Sequence, residues 1–292
     1  RTGKPQPAAP LDAPAIPADS TANRREVLAD WLTSPENPYF TRSIANRIWA
    51  NFFGRGIVEP VDDLRVSNPA SNEPLLAAIA AHLAKNKYDL KALMRLILRS
   101  ETYRRSSVPL ERNREDQSYY SRYYPRRMMA EVLYDAIVSV TSVSRRFDNI
   151  TNFDGSTRKT GFYPEGTRAL QLYDSSVTSY FLKAFGRNDR EITCECERSN
   201  KPSMVQVLHL SNGNALNDRL SSKKGRVSEL VAKENSEMIN EVYMLCFSRA
   251  PSEDERKRIT ELFAGVPPEE KRKVVEDLFW ALMTSREFLF QH

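Results

Sequence analysis

The chain has 292 residues, 40% of them apolar and 28% charged, with a net charge of +5 and a pI near 9.0. That apolar share builds a core and excludes a disordered chain, and no apolar run approaches the ~20 residues that a bilayer-spanning helix needs. The cysteines, Cys194, Cys196 and Cys246, are odd in number, which excludes a fully paired disulfide framework.

Residues 1–22 read as a Pro/Ala-rich linker, stiffened by Pro5, Pro7, Pro10, Pro14 and Pro17. The opening has no signal-peptide pattern, and Arg1 in place of an initiator Met predicts a piece of a longer or processed protein. Residues 23–292 are expected to form a single helical domain. Val27, Leu28, Trp31 and Leu32 fall at helical spacing, and that helix should stop before Ser34-Pro35, because the residue before Pro resists the helical conformation. Asn37-Pro38 supplies an N-cap and a first-turn Pro for a helix carrying Phe40, Ile44, Ile48 and Phe52 on one stripe. Gly54 and Gly56 should end it. Ser71 or Asn72 begins a third helix through Leu75, Leu76, Ile79 and Leu83, and Asp89 caps a fourth with Leu90, Leu93, Met94, Ile97 and Leu98 inward.

Residues 104–124 are polar and read as irregular. A helix is predicted from Arg126 to about Ser142, with Met129, Val132, Leu133, Ala136, Ile137 and Val140 on its core face. Arg127, Glu131 and Asp135 fall on the opposite side. Periodicity fades over an insert at about 144–200, where the alternation Ala169-Leu170-Gln171-Leu172-Tyr173 is the place for short strands. Helical signals return over 203–210, 215–220, 227–232 and 236–247. Ser252-Glu253-Asp254-Glu255 is a capping box for a helix to Phe263, and a last helix is predicted over 268–288. One echo stands out: Leu98-Arg99-Ser100-Glu101-Thr102-Tyr103 resembles Met283-Thr284-Ser285-Arg286-Glu287-Phe288. The expected fold is mainly α, an irregular multi-helix bundle whose loop-rich middle has room for a small β-sheet.

Two polar constellations are candidate sites. The first is Asn46, Arg47, Arg55, Asp62 and Asp63. Its carboxylates with arginine partners suit acid–base chemistry or metal binding, or else a buried ion-pair network that fixes the helix–turn–helix angle. Gly54 and Gly56 let the chain reverse, so Arg47 or Arg55 is expected to pair with Asp62 or Asp63, and Asn46 to bond to backbone near the turn. The second is Cys194, Glu195, Cys196, Glu197 and Arg198, joined by Glu131, in an irregular stretch of the kind that carries function. Zinc at Cys194 and Cys196 would need two further ligands. No metal and no cofactor is assigned, since there is no C-x-x-C-H, no dense ligand cluster, no phosphate loop and no nucleophile elbow. Trp49, Phe52 and Phe53 read as core, as does His209 in Val207-Leu208-His209-Leu210. Arg104, Arg105, Arg112, Arg114, Arg122, Arg126 and Arg127 lie among tyrosines. That composition suits nucleic acid and equally a solvated, salt-bridged segment.

Several of these stretches together carry a family resemblance. They are Arg25–Leu32 with Asn37-Pro38-Tyr39-Phe40, Asn46–Leu64, Asp89-Leu90-Lys91 through Ser100-Glu101-Thr102-Tyr103, Tyr124–Glu131, Cys194–Arg198 and Gln206–Gly213. Over about residues 22–292 the chain resembles domain of unknown function 1553, the planctomycete PSD-type domain. The resemblance implies an exported protein, in the periplasm or at the cell surface, whose upstream domains commonly include a c-type cytochrome. Those upstream domains would be partners of this one. It carries over no catalytic residue. The function expected is a non-catalytic binding or scaffolding module related to a polysaccharide or a redox partner. The alternatives are a carboxylate-dependent hydrolase of complex glycans and, behind it, nucleic-acid binding through the arginines of 104–127.

Overall fold

The computed structural model of the chain describes residues 6–17, 19–152, 154–187 and 203–291. The chain forms two compact units, one through Tyr124 and one from Pro125.

Unit 1 is built on α1 (Arg24–Thr33), α2 (Phe40–Phe53), α3 (Glu73–Lys85) and α4 (Leu90–Leu98). The caps expected at Asn72 and Asp89 are formed: their side chains, like that of Asn23, accept from first-turn N–H groups of α3, α4 and α1. Asn37 accepts from Tyr39 and Phe40 at 2.9 Å each, but α2 starts at Phe40 behind Tyr39, so Pro38 precedes the helix and does not open it. Each such cap offsets about 1 kcal/mol of otherwise orphaned N–H. The core joins Ala45, Ile48, Trp49 and Phe53 of α2 to Leu76, Ile79 and Leu83 of α3 and to Leu93 and Ile97 of α4. Trp49 stacks on Phe53 at 4.2 Å. Tyr120 and Tyr123 close this core from the turn-rich segment before Tyr124, which holds only a short 3-10 turn at Glu111–Asn113.

Unit 2 contains β1 (Arg126–Arg127), α5 (Ala130–Thr141), β2 (Asn149–Thr151), β3 (Thr157–Lys159), α6 (Tyr180–Ala184), α7 (Met204–Asn212), α8 (Asn214–Leu220), α9 (Arg226–Leu230), α10 (Asn235–Phe247), α11 (Glu253–Phe263), α12 (Pro268–Met283), α13 (Arg286–Leu289) and β4 (Phe290–Gln291). β1 pairs antiparallel with β4, and β2 with β3. The fold is mainly α, and the described residues hold two small sheets. Among the described residues no helix is long and apolar enough to cross a membrane.

Four local expectations are corrected. The long helix begins at Ala130, not Arg126, because Arg126 and Arg127 are extended and bond to Gln291 and Phe290, and the Met128 N–H continues to Leu289 O at 3.0 Å. Asp135, placed by charge spacing on the solvent side, is buried. Residues 169–171 form a 3-10 turn instead of a strand, with Ala169 and Leu172 buried three apart; the strands of the insert lie at 149–151 and 157–159. The last helix stops at Met283, because Ser285 turns its hydroxyl to the Phe288 N–H and starts a new helix.

Candidate functional site

The first constellation is organised by Asn46, which is fully buried on α2. Its Nδ2 donates to Val58 O at 2.9 Å and Val61 O at 2.8 Å, and its Oδ1 accepts from Val58 N at 3.0 Å. The turn after α2 is thereby folded back on the helix. Gly54 supplies the left-handed step, with φ 75°. Gly56 has no room for a side chain: a Cβ there would stand 2.3 Å from Val58 O and 3.0 Å from the Asn46 amide. Ile57 and Val58 return into the core, and the Tyr120 hydroxyl donates to Gly56 O at 2.8 Å. Burial pushes the Tyr120 hydroxyl up to about 12, so it stays a donor.

The fold-back brings Asp62 to Arg47, whose Nε donates to Asp62 Oδ1 at 2.6 Å. Their side chains remain 36% and 32% exposed. Asp63 turns to Arg65 in a bidentate pair at 2.6 Å for both bonds, and Arg65 holds its carboxyl below the usual range. Glu59 accepts from Gly56 N at 2.9 Å. Arg55 joins neither aspartate. Each carboxylate of the motif is therefore engaged by an arginine or by the turn itself. Cys194, Glu195, Cys196, Glu197 and Arg198 of the second constellation lie outside the described residues. Glu131 sits half-buried in the first turn of α5.

Metal chemistry finds no preformed cage among the described residues, where no three His, Cys, Asp or Glu side chains gather for an ion. Cys246 is a free thiol, pushed up to about 12 by burial. His209 is half-buried against the rings of Tyr180 and Phe181, at 5.0 and 5.6 Å, and burial lowers its pKa. In unit 1 several arginines of the 104–124 segment act as braces. Arg104 pairs with Glu101 at 3.0 Å, Arg105 donates to Tyr120 O at 2.7 Å, and Arg122 lies over the Tyr124 ring. In unit 2 Arg127 donates to Phe185 O at 2.9 Å and lies over that ring.

Sequence reasoning missed an aromatic corner in unit 2. Tyr163 is 7% exposed, while Phe162 and Tyr173 are 64% and 61% exposed. Their centroids are close: Phe162 to Tyr163 is 5.2 Å, Phe162 to Tyr173 is 5.3 Å with planes at 90°, and Tyr163 to Tyr173 is 5.7 Å. The segment between the rings is held from both flanks. Thr160 N donates to Asp148 O at 2.8 Å. On the other side Asp135 of α5 accepts from Ala169 N at 2.7 Å and Leu170 N at 3.2 Å, and is paired to Arg168. Leu172, buried, then delivers Tyr173 to the surface. A signal was available in Phe162-Tyr163-Pro164-Glu165-Gly166, an aromatic pair leading into a Pro–Gly turn.

Two further polar features were also missed. Arg219 is 2% exposed, with its guanidinium on Val143 O at 3.0 Å, the Tyr134 hydroxyl at 2.8 Å and Ala215 O. Burial opposes its charge, and these acceptors with the Tyr134 ring face offset that cost. Arg249 binds Glu287 through Nε at 2.6 Å and Glu255 through Nη1 at 2.8 Å, in a double bidentate pair over the rings of Tyr243 and Phe247.

Fold and site define a mainly α protein of two compact units, with arginine-braced turns and an exposed aromatic corner. The chain belongs to the family described as "Protein of unknown function (DUF1553)", whose model matches residues 24–263. No curated protein and no solved structure matches it.

Proposed function

We propose that the chain is a non-catalytic binding module of an exported protein and that it holds a polysaccharide at the aromatic corner of Phe162 and Tyr173. The observation that carries this reading is the pair of exposed rings set edge to face on each other and packed against the buried Tyr163. An exposed ring offers an apolar face to the C–H face of a pyranose, and rings already packed together lose little freedom on binding. The hydrolase alternative has less support, because Asp62, Asp63 and Glu59 are each committed to a local partner. Nucleic-acid binding has less support as well, because Arg105, Arg122 and Arg127 spend donors on backbone carbonyls. The exported setting, with upstream domains such as a c-type cytochrome as partners, rests on the family resemblance.

The test is retention of the chain on a panel of insoluble and gel-embedded polysaccharides. Phe162→Ala/Tyr173→Ala should lose retention, while Leu262→Ala, at another exposed apolar position, should keep it. Equal retention of the double variant, or no retention across the panel, overturns the reading.

A further inference from the structure

We infer that the two units carry one duplicated motif, and that in unit 1 the arginine of that motif, Arg55, is left to take a carboxylate from a bound molecule. The echo at the two helix ends is the edge of a longer correspondence. Along α2 and α10, Asn46 falls against Asn240, Trp49 against Tyr243, Phe53 against Phe247 and Arg55 against Arg249. Both helices close on a left-handed residue, Gly54 at φ 75° and Ser248 at φ 57°, whose N–H returns to Ala50 O and Met244 O. A helix capped by its own side chain follows in each unit: Asn72 accepts from Leu75 N, and Ser252 from Glu255 N.

The third helix of each set ends in the same bonds at a constant offset. Arg99 N returns to Arg95 O, Ser100 N to Ile97 O, and Tyr103 N to Ser100 Oγ. Thr284 N returns to Trp280 O, Ser285 N to Leu282 O, and Phe288 N to Ser285 Oγ. A Ser-capped turn alone recurs widely. Here it closes the same order of helix, left-handed cap, arginine, capped helix and third helix in both units.

The copies differ at the asparagine, which holds the turn backbone as Asn46 and takes the Arg256 guanidinium as Asn240, and they differ in what fills the arginine fork. The fork of Arg249 is filled by Glu255, three residues past the Ser252 cap, and by Glu287, two past Ser285. The matching positions in unit 1 are Leu75, three past Asn72, and Thr102, two past Ser100. Both carboxylates are gone while the arginine is kept. Arg55 is half-buried. Its carbonyl takes the Tyr120 hydroxyl at 3.1 Å, its guanidinium has no ion pair among the described residues, and Glu59 nearby is spent on Gly56 N. A guanidinium fork matches a planar carboxylate in a bidentate pair, as its counterpart in unit 2 does twice. The ligand class is a carboxylate, whether of a free acid or of a uronate residue. The inference concerns unit 1 and does not depend on the aromatic corner.

The experiment is an NMR titration of the full chain labelled with 15N-arginine, using acetate and glucuronate, with chloride at matched ionic strength as reference. Arg55→Gln assigns the Arg55 Nε–H resonance. A saturable shift of that resonance with the carboxylates, absent with chloride and absent at Arg249, is expected. Saturation at lower concentration by glucuronate points to a sugar acid as the source; equal saturation points to a free acid. Thr102→Glu, which restores the missing carboxylate, should abolish the shift and raise Tm. A shift that is linear, or shared with chloride, overturns the inference, and so does glucuronate binding retained by Arg55→Gln in ligand-observed saturation transfer.

Discussion

Asn46 holds Val58 by both of its backbone polar groups, giving a bond to the carbonyl and taking one from the N–H at 2.9 and 3.0 Å. With the third bond, to Val61 O, one side chain satisfies three buried or half-buried groups of the turn. Asn46→Ala should therefore cost about 3 kcal/mol or more, since each stranded buried group costs roughly 1–3 kcal/mol. Asn46→Asp should be no better, because its carboxylate faces Val58 O and Val61 O without a donor. Urea denaturation of the three proteins checks the order.

Arg47→Ala should cost less than ~1 kcal/mol, because the pair it breaks is about a third exposed on each side. High salt should narrow the difference from wild type further. A loss of several kcal/mol in chemical denaturation would contradict this account of the turn and move its energetics from Asn46 to the ion pair.

The Arg249 cluster predicts an acid-sensitive window. Arg249 lowers the pKa of Glu255 from 4.5 to about 2. A depressed carboxyl stabilises the fold above its unfolded pKa and loses that contribution as pH falls through the folded one. Melting curves of Glu255→Gln should lie below wild type at neutral pH, and the gap should close between about pH 4.5 and 2. A gap that persists at the acid end would mean that Glu255 acts through packing alone.

Asp135→Ala should cost about 2–4 kcal/mol, since it strands the N–H groups of Ala169 and Leu170. Asp135→Asn keeps one acceptor and should recover part of the loss. Because the same bonds position Tyr173, retention on the polysaccharide found for wild type should fall in Asp135→Ala under conditions where the protein remains folded.

The helices of unit 1 and the later helices of unit 2 were legible because their signals are local. Asp89 before an apolar stripe, and Ser252 three residues before Glu255, act within one turn. Charge spacing misled at Asp135, whose partners lie more than thirty residues away at Ala169 and Leu170. Arg126 and Arg127 took a strand because of Phe290 and Gln291, which no window of sequence contains together. The alternation at 169–173 also fits a 3-10 turn, whose three-residue period buries Ala169 and Leu172. Of the two arginines offered for the Asp62–Asp63 pair, Arg47 was selected because it neighbours Asn46, and Asn46 sets where the returning chain lands.

The pairing of Arg126–Arg127 with Phe290–Gln291 ties the entry of unit 2 to its exit. The ladder closes a loop of about 160 residues, for which chain entropy is a standing cost, and it is only two residue pairs long. Its amides should be the earliest in unit 2 to exchange with deuterium, well before those in the middle of α12. The ends of the unit stand one strand spacing apart, about 4.8 Å. A short peptide could therefore join them, with new termini opened at an exposed loop such as Gly265, without moving any helix.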